Sequence, residues 1–548
     1  MRKSSAAPVL ALAAGLASCA SPGARSAASR GEPRIPGLTA LPATLKLLPG
    51  GPAPRGETVL VLHAARGESE SAQLLLAAGE GPLRAVEYRA PALVGPGGFR
   101  IEAETGIVGY VPVTRPSLVG FRRKGLFPDP ILPAAPFDLE ARGRRSLLYT
   151  VSVPRGAPAG AYRGRVGAAV PEGPSFSIEV ELIVHDVELP ATSKLRTRVN
   201  FRQENFRDPR WYGEAWNEDR AAALPLLGLK YRFSSDPRLP LAAVFRNGAD
   251  GSLEADWRSF DAAFERWRDL GITAFELDLG IRWTDSPERI SEAYGPRLAA
   301  LEAHLESRGW SRLCYLYPYD EPSAREMPAL RARLEAIKAF APRVPLLLTY
   351  GVTKASQRAL DGLVDIWVPN LHQLDPRFAA SRRARGEEVW AYACVGNSLR
   401  PYPDNFRTDW YGVAHRALGW WLWKYGVDGY LYWAVDLWRE DPWADAATFP
   451  WTNGDGMLFY PAKESSEPPY PSIRAHLMRD AFEDYDLLAM LRDRCEAAGE
   501  TPEAARRLLS AEGLILSPRR FSLDDAAYEA AHAELLGLLG PFESRERR

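Results

Sequence analysis

Leu313-Cys314-Tyr315-Leu316-Tyr317-Pro318-Tyr319-Asp320-Glu321-Pro322-Ser323 decides how the rest of this chain is read. It opens as an apolar and aromatic run, the pattern of a strand covered on both faces. It closes on two adjacent carboxylates and a proline. Ser323 with Glu326 is a capping-box pattern. Met327, Leu330, Leu334 and Ile337 then keep helical spacing, with Pro328 a blemish near the start. Strand, acidic pair and helix in that order is how a (β/α) barrel presents reactive groups at its C-terminal face.

Outward from this turn, from Leu195 onward, the rhythm is strand, loop, helix. The strand candidates are Arg196–Phe201, Lys230–Phe233, Thr273–Leu279, Arg312–Pro318, Val344–Tyr350, Val364–Pro369, Glu388–Cys394 and Asp428–Val435. The clearest helix between them carries Trp257, Phe260, Phe264 and Trp267 on one face. Eight alternations predict a (β/α)8 TIM-type barrel over 191–495. An open doubly wound sheet shares this rhythm, but no glycine fingerprint follows any strand. Upstream, over 41–190, short β-like runs such as Ser71–Ala77, Leu147–Val153 and Phe176–His185 are broken by Gly and Pro. They predict an antiparallel β-sandwich. Downstream, a helix over Ser472–Leu491 is followed by shorter ones near Pro502–Ala511 and Leu523–Leu539, the last capped by Ser522 with Asp525. Residues 496–548 are expected to form a C-terminal helical appendage. The expected fold is thus multidomain: an N-terminal antiparallel β-sandwich followed by a (β/α)8 barrel with C-terminal helices.

Residues 1–19 have the form of an export signal, with Arg2 and Lys3 before the apolar stretch Ala6–Leu16. They end Leu16-Ala17-Ser18-Cys19, which resembles the bacterial lipobox, in which the cysteine is acylated. The plainer reading is a cleaved signal with an incidental cysteine. Lipidation at Cys19 would tether the protein to a membrane without a spanning helix. Ala20 stands where an inner-membrane retention signal would place Asp, so the bacterial outer membrane is the expected location. Residues 20–40 are expected to be a flexible tether.

With 548 residues the chain exceeds a single core. A net charge of -1 argues against a nucleic-acid partner. The aromatic content, with 16 Trp and 21 Tyr, is concentrated between Trp211 and Trp451. That suits a sugar-binding cleft, although any single ring is more often core. The four cysteines form no close pair and so no zinc-ligand or redox spacing. Cys314 and Cys394 are expected as buried thiols; a bridge between them is the alternative.

Asp320 and Glu321 fall just past the fourth strand, where barrel active sites collect. Neighbouring carboxylates in a dry site resist joint ionisation, a property suited to a general acid. The competing reading is a solvated acidic pair before a helix N-terminus. A retaining glycosidase of the two-carboxylate kind needs a second acid as nucleophile. The seventh strand ends in Cys394-Val395-Gly396-Asn397 without one; Asp436 and Asp278 are the remaining candidates. The missing acid favours a substrate-assisted route, in which a 2-acetamido oxygen attacks the anomeric carbon. Asp320 would orient the amide nitrogen, and Glu321 would protonate the leaving oxygen and then activate water. Tyr350, Trp367, Asn370, His372, Tyr392, Trp433, Trp438 and Asp436, at other strand ends, are the expected substrate-binding residues. His372 has no partner at metal spacing, so no metal is expected there.

The Tyr319-Asp320-Glu321-Pro322 turn resembles that of glycoside hydrolase family 123 and of the broader domain-of-unknown-function family 4091. Further similarity lies in Gly429–Ala434, Asn453-Gly454-Asp455-Gly456, Pro471–Arg474 and Arg479–Leu488, and in the sandwich at Ala65–Gln73 and Pro158–Gly164. The resemblance implies an exo-acting β-N-acetylgalactosaminidase with substrate-assisted retention, Asp320 and Glu321 as the catalytic pair, and neither metal nor organic cofactor. It also implies that charges of the Arg474–Leu488 helix tie it to the barrel. The alternatives are a two-carboxylate glycosidase using Glu321 with Asp436 or Asp278, and a non-catalytic glycan-binding lipoprotein.

Overall fold

The computed structural model describes residues 36–540 apart from 52–53, 249, 251, 350–353, 396–401 and 404–405. The expected signal, Cys19 and Tyr350 lie outside the described residues.

The β-rich N-terminal region is built from β1 (Gly37–Pro42), β2 (Val59–Arg66), β3 (Ser69–Ala77), β4 (Leu83–Arg89), β5 (Ala103–Val113), β6 (Gly125–Pro133), β7 (Phe137–Leu139), β8 (Arg144–Ser152), β9 (Gly160–Ala169) and β10 (Ser175–Glu188). One sheet runs β1-β3-β8-β5-β6, the other β2-β10-β9-β4-β7. Alternation puts Leu74, Leu76, Leu147 and Tyr149 of the first sheet against Val166, Val180 and Leu182 of the second. Two expectations change. β1 occupies residues assigned to the tether and pairs along β3. β2 and β10 run parallel, so the sandwich is not wholly antiparallel.

The next region carries β11 (Arg196–Val199), β12 (Phe275–Glu276), β13 (Cys314–Tyr315), β14 (Leu347–Thr349), β15 (Ile366–Val368), β16 (Glu388–Ala393) and β17 (Gly429–Tyr432). Five of them form a parallel sheet in the order β11-β17-β16-β15-β14, and β12 pairs parallel with β13. A parallel bridge, Leu316 to Leu346, joins the two groups. The expected strand Lys230–Phe233 does not form, because helix Glu218–Lys230 runs through its first residue. Ser234 takes over its connections: Val199 N–H donates to the Ser234 carbonyl at 2.9 Å, and Thr273 N–H to Ser234 Oγ at 2.8 Å.

The longer helices include α1 (Arg258–Asp269), α2 (Met327–Phe340), α3 (Gly412–Lys424), α4 (Ile473–Ala498) and α5 (Asp525–Leu539). α1 buries Phe260, Phe264 and Trp267, and α2 buries Met327, Leu330, Leu334 and Ile337, each as its spacing predicts. Two expected caps are displaced. Glu326 accepts from Ser323 N–H at 2.8 Å, but α2 starts only after it. Asp524, not Ser522, caps α5. Cys314, Cys394 and Cys495 are free thiols, so Cys314 and Cys394 form no bridge. No described helix is long and apolar enough to cross a membrane.

α4 is buried along most of its length and touches both regions. Arg474 grips Asp129 of β6 with Nε at 2.8 Å and Nη2 at 2.6 Å. Lys46 Nζ stands 3.3 Å from the same carboxylate and Tyr460 donates to it at 2.6 Å. Burial opposes the charge on Asp129, yet Arg474 and Lys46 prevail and hold its carboxyl well below the usual range. Arg479 Nη2 donates to Ser71 Oγ at 3.1 Å. The charges at the start of α4 therefore tie it to the sandwich, not only to the strands of the second region. Asp129→Ala strands two buried cations, and is expected to cost about 3–5 kcal/mol. Urea unfolding of the full chain reads the loss; an unchanged midpoint would refute it.

Candidate active site

The residues after several parallel strands converge on a cleft of about 500 Å³, within the usual range for small-molecule sites. Its walls include Arg198, Asp236, Asp320, Glu321, Tyr392 and Trp433.

The acidic pair sits where the backbone leaves β13. Glu321 has φ +46°, a left-handed conformation that is costly for a residue with a Cβ. Along an extended strand neighbouring side chains point to opposite faces. The reversal at Glu321 breaks that alternation, and both carboxylates line one cleft. Glu321 N–H donates to Thr349 Oγ1 at 3.1 Å, which holds the turn against β14.

Each carboxylate is fixed through one oxygen. Asp320 Oδ1 accepts from Tyr317 Oη at 2.5 Å and from Thr349 Oγ1 at 2.7 Å. Glu321 Oε1 accepts from Tyr392 Oη at 2.6 Å. Among the described residues nothing hydrogen-bonds Asp320 Oδ2 or Glu321 Oε2. Burial, the adjacent Cys394 and Glu321 push the Tyr392 hydroxyl up; burial and Asp320 do the same for Tyr317. Both phenols therefore remain donors. Beneath Tyr317 the Arg198 guanidinium lies 5.1 Å from the ring centroid, paired with Glu276. Burial works against that cation, but Glu276 and the tyrosines outweigh it and push it up.

The other expected binding residues divide. Tyr392 and Trp433 line the cleft. Trp433 Nε1 donates to Asp455 at 3.4 Å, and the ring lies against Gly456, where a Cβ would meet it at 2.4 Å. Trp367 points the other way, into the core against Phe378, with Nε1 donating to Glu387 at 2.6 Å. Trp438 is core, donating to the Phe459 carbonyl at 2.8 Å. Asn370 and His372 bond each other at 2.7 Å and do not line the cleft. Asp436 is fully buried; both its oxygens accept from Arg202 N–H at 2.9 Å, and burial pushes its carboxyl well up. Asp278 accepts from Gly280 N–H at 2.7 Å and is also absent from the cleft walls. The two-carboxylate alternative built on Asp436 thus loses its geometry, since both oxygens of that buried residue are taken up by backbone. Sequence reading missed Arg198, Asn200, Glu204, Asp236 and Arg238, all of which line the cleft. The rule that singled out Asp320 reaches Glu204, Asp236 and Arg238, which follow the first two expected strands, whereas Arg198 and Asn200 lie within the first.

Comparison with known proteins bears on the same segment. Residues 279–491 match the sequence model of glycoside hydrolase 123, catalytic domain. The acidic pair lies inside that match. No curated protein matches the chain. Among solved structures, a family 123 glycoside hydrolase from Clostridium perfringens, described in an account of glycolipid glycan hydrolysis, superposes with a TM-score of 0.66 at 16% identity, covering 92% of this chain and 98% of that one. That likeness is one of fold, and it extends over the sandwich as well as the glycoside hydrolase 123 segment. A family 39 glycoside hydrolase from Bacteroides cellulosilyticus reaches a TM-score of only 0.32 at 12% identity over 78% of this chain and 82% of that one.

The left-handed turn has a measurable cost. Glu321→Gly is expected to unfold at higher urea than Glu321→Ala by the equivalent of about 1 kcal/mol, since glycine alone relieves the strain. Equal stabilities would show that the positive φ is not retained in solution.

Proposed function

We propose that this protein is a glycoside hydrolase that removes terminal β-linked N-acetylhexosamine, most naturally N-acetylgalactosamine, by a substrate-assisted retaining mechanism. The observation that carries the reading is the asymmetric fixing of the two acids. Asp320 Oδ1 is held by two hydroxyls, so Oδ2 can accept the N–H of a 2-acetamido group. Glu321 Oε1 is held by Tyr392, so Oε2 can carry the proton. The amide oxygen then attacks the anomeric carbon as its bond to the leaving oxygen breaks, and Glu321 gives that oxygen its proton. Asp320 balances the positive charge of the resulting oxazolinium. Glu321, now ionised, takes a proton from water as the water opens the oxazolinium, and retention follows from two inversions. Trp433 supplies a ring face for the sugar.

The strand pairings, with Ser234 bridging the first and third segments, support a closed (β/α)8 barrel as the frame. The Clostridium enzyme's glycolipid glycans offer a substrate class to try first. The lipobox-like Cys19 supports tethering at the bacterial envelope.

Aryl β-N-acetylgalactosaminide is expected to be hydrolysed by the protein lacking residues 1–19, and aryl β-galactoside left intact. Asp320→Asn and Glu321→Gln should each lose roughly 10²–10⁴-fold in kcat/KM. Full turnover in Glu321→Gln would remove the acid assignment, and comparable cleavage of the galactoside would remove the acetamido role. A glycan-binding protein would show affinity without turnover. Tyr392→Phe removes one bond to Glu321, and should cost about 10–100-fold, read as a shift in the pH profile of kcat/KM as well as its height.

A further inference from the structure

Away from the cleft, Glu68 in the turn after β2 and Glu70 at the start of β3 lie against His532 of α5. The three are buried, at 0%, 3% and 2% exposure, and one ligand atom of each lies within 4.8 Å of the others. His532 Nε2 stands 3.4 Å from Glu70 Oε1, 3.6 Å from Glu68 Oε1 and 3.3 Å from the His63 carbonyl oxygen. Charge-assisted hydrogen bonds are shorter, about 2.7–2.9 Å. Separations near 3.4 Å are instead the edges of a tetrahedron whose ligands sit about 2.0–2.2 Å from a central ion.

The outer contacts agree. His532 Nδ1 is 2.9 Å from Asp484 Oδ1. An imidazole that donates Nδ1–H to a carboxylate keeps its Nε2 lone pair for an ion, the usual arrangement around metal-bound histidine. A separate observation points the same way. Glu68 Oε2 accepts from Ala65 N–H at 2.6 Å, while Glu68 Oε1, aimed at the cluster, is buried without a hydrogen-bond donor. An orphaned anionic oxygen in a dry interface is costly.

We propose that Glu68, Glu70 and His532, with the His63 carbonyl, form a site for one divalent transition-metal ion of the zinc class, which clasps the C-terminal helix to the sandwich. Neither carboxylate, nor His63 or His532, lines the cleft, so the site is structural and independent of the glycosidase reading. Sequence spacing could not reveal it, since its ligands come from opposite ends of the chain.

The test is metal analysis of the full chain as purified from zinc-supplemented medium, followed by thermal melts with EDTA and with added Zn²⁺. One zinc per chain is expected, with Tm falling in chelator and recovering with zinc. Glu70→Gln and His532→Gln should each lose the metal and the zinc-dependent part of Tm. Wild-type protein that carries no stoichiometric zinc, and melts identically with EDTA and with Zn²⁺, would overturn the proposal. So would folded variants that keep the ion. Should the variants not fold, the wild-type stoichiometry and Tm shift still decide it.

Discussion

The grip of Arg474 on Asp129 is the constraint through which the two large regions are fitted together. Neither charge is tolerable alone in that interface, so β6 and α4 must meet in one register. The consequences reach the cleft. Arg474 Nη1 also donates to the Gly454 carbonyl at 2.8 Å. Gly454, at φ +80°, has no room for a side chain beside that guanidinium. Two residues on, Gly456 lies against Trp433, with its N–H donating to Tyr432 Oη at 2.7 Å. An interdomain ion pair thus helps place a ring that lines the same cleft as the acidic pair.

The site shows a division of labour between hydroxyls and charges. Tyr317, Thr349 and Tyr392 touch the two acids directly, and the Glu276–Arg198 pair lies one layer beneath Tyr317. Neutral donors orient a carboxylate without neutralising it. A cation placed in direct contact would favour the ionised form and oppose proton donation.

The acidic turn was legible because it combines three independent signals: an apolar run, a carboxylate pair and helical spacing after it. Trp367 shows where such reading stops. Strand periodicity says that alternate residues share a face, but not which face is which, and Ile366 and Val368 take the face opposite Trp367, in a separate buried cluster. Asp436 stands at a strand end, as a catalytic group would. Its oxygens are nevertheless consumed by the backbone of Arg202, a partner far away in sequence. Lys230–Phe233 looked like a strand from its composition, but the preceding helix extends into it. The Trp367 and Asp436 failures reflect tertiary contacts that local pattern does not encode.

The weld between β6 and α4 also bears on inheritance. A sandwich followed by a catalytic region invites description as interchangeable modules. Asp129, Lys46 and Ser71 on one side, with Arg474 and Arg479 on the other, make exchange expensive. A foreign sandwich would leave the buried Arg474 guanidinium without its carboxylate. Recombination that cuts between the two regions is thus penalised at once, and the pair should pass between genomes as a single unit.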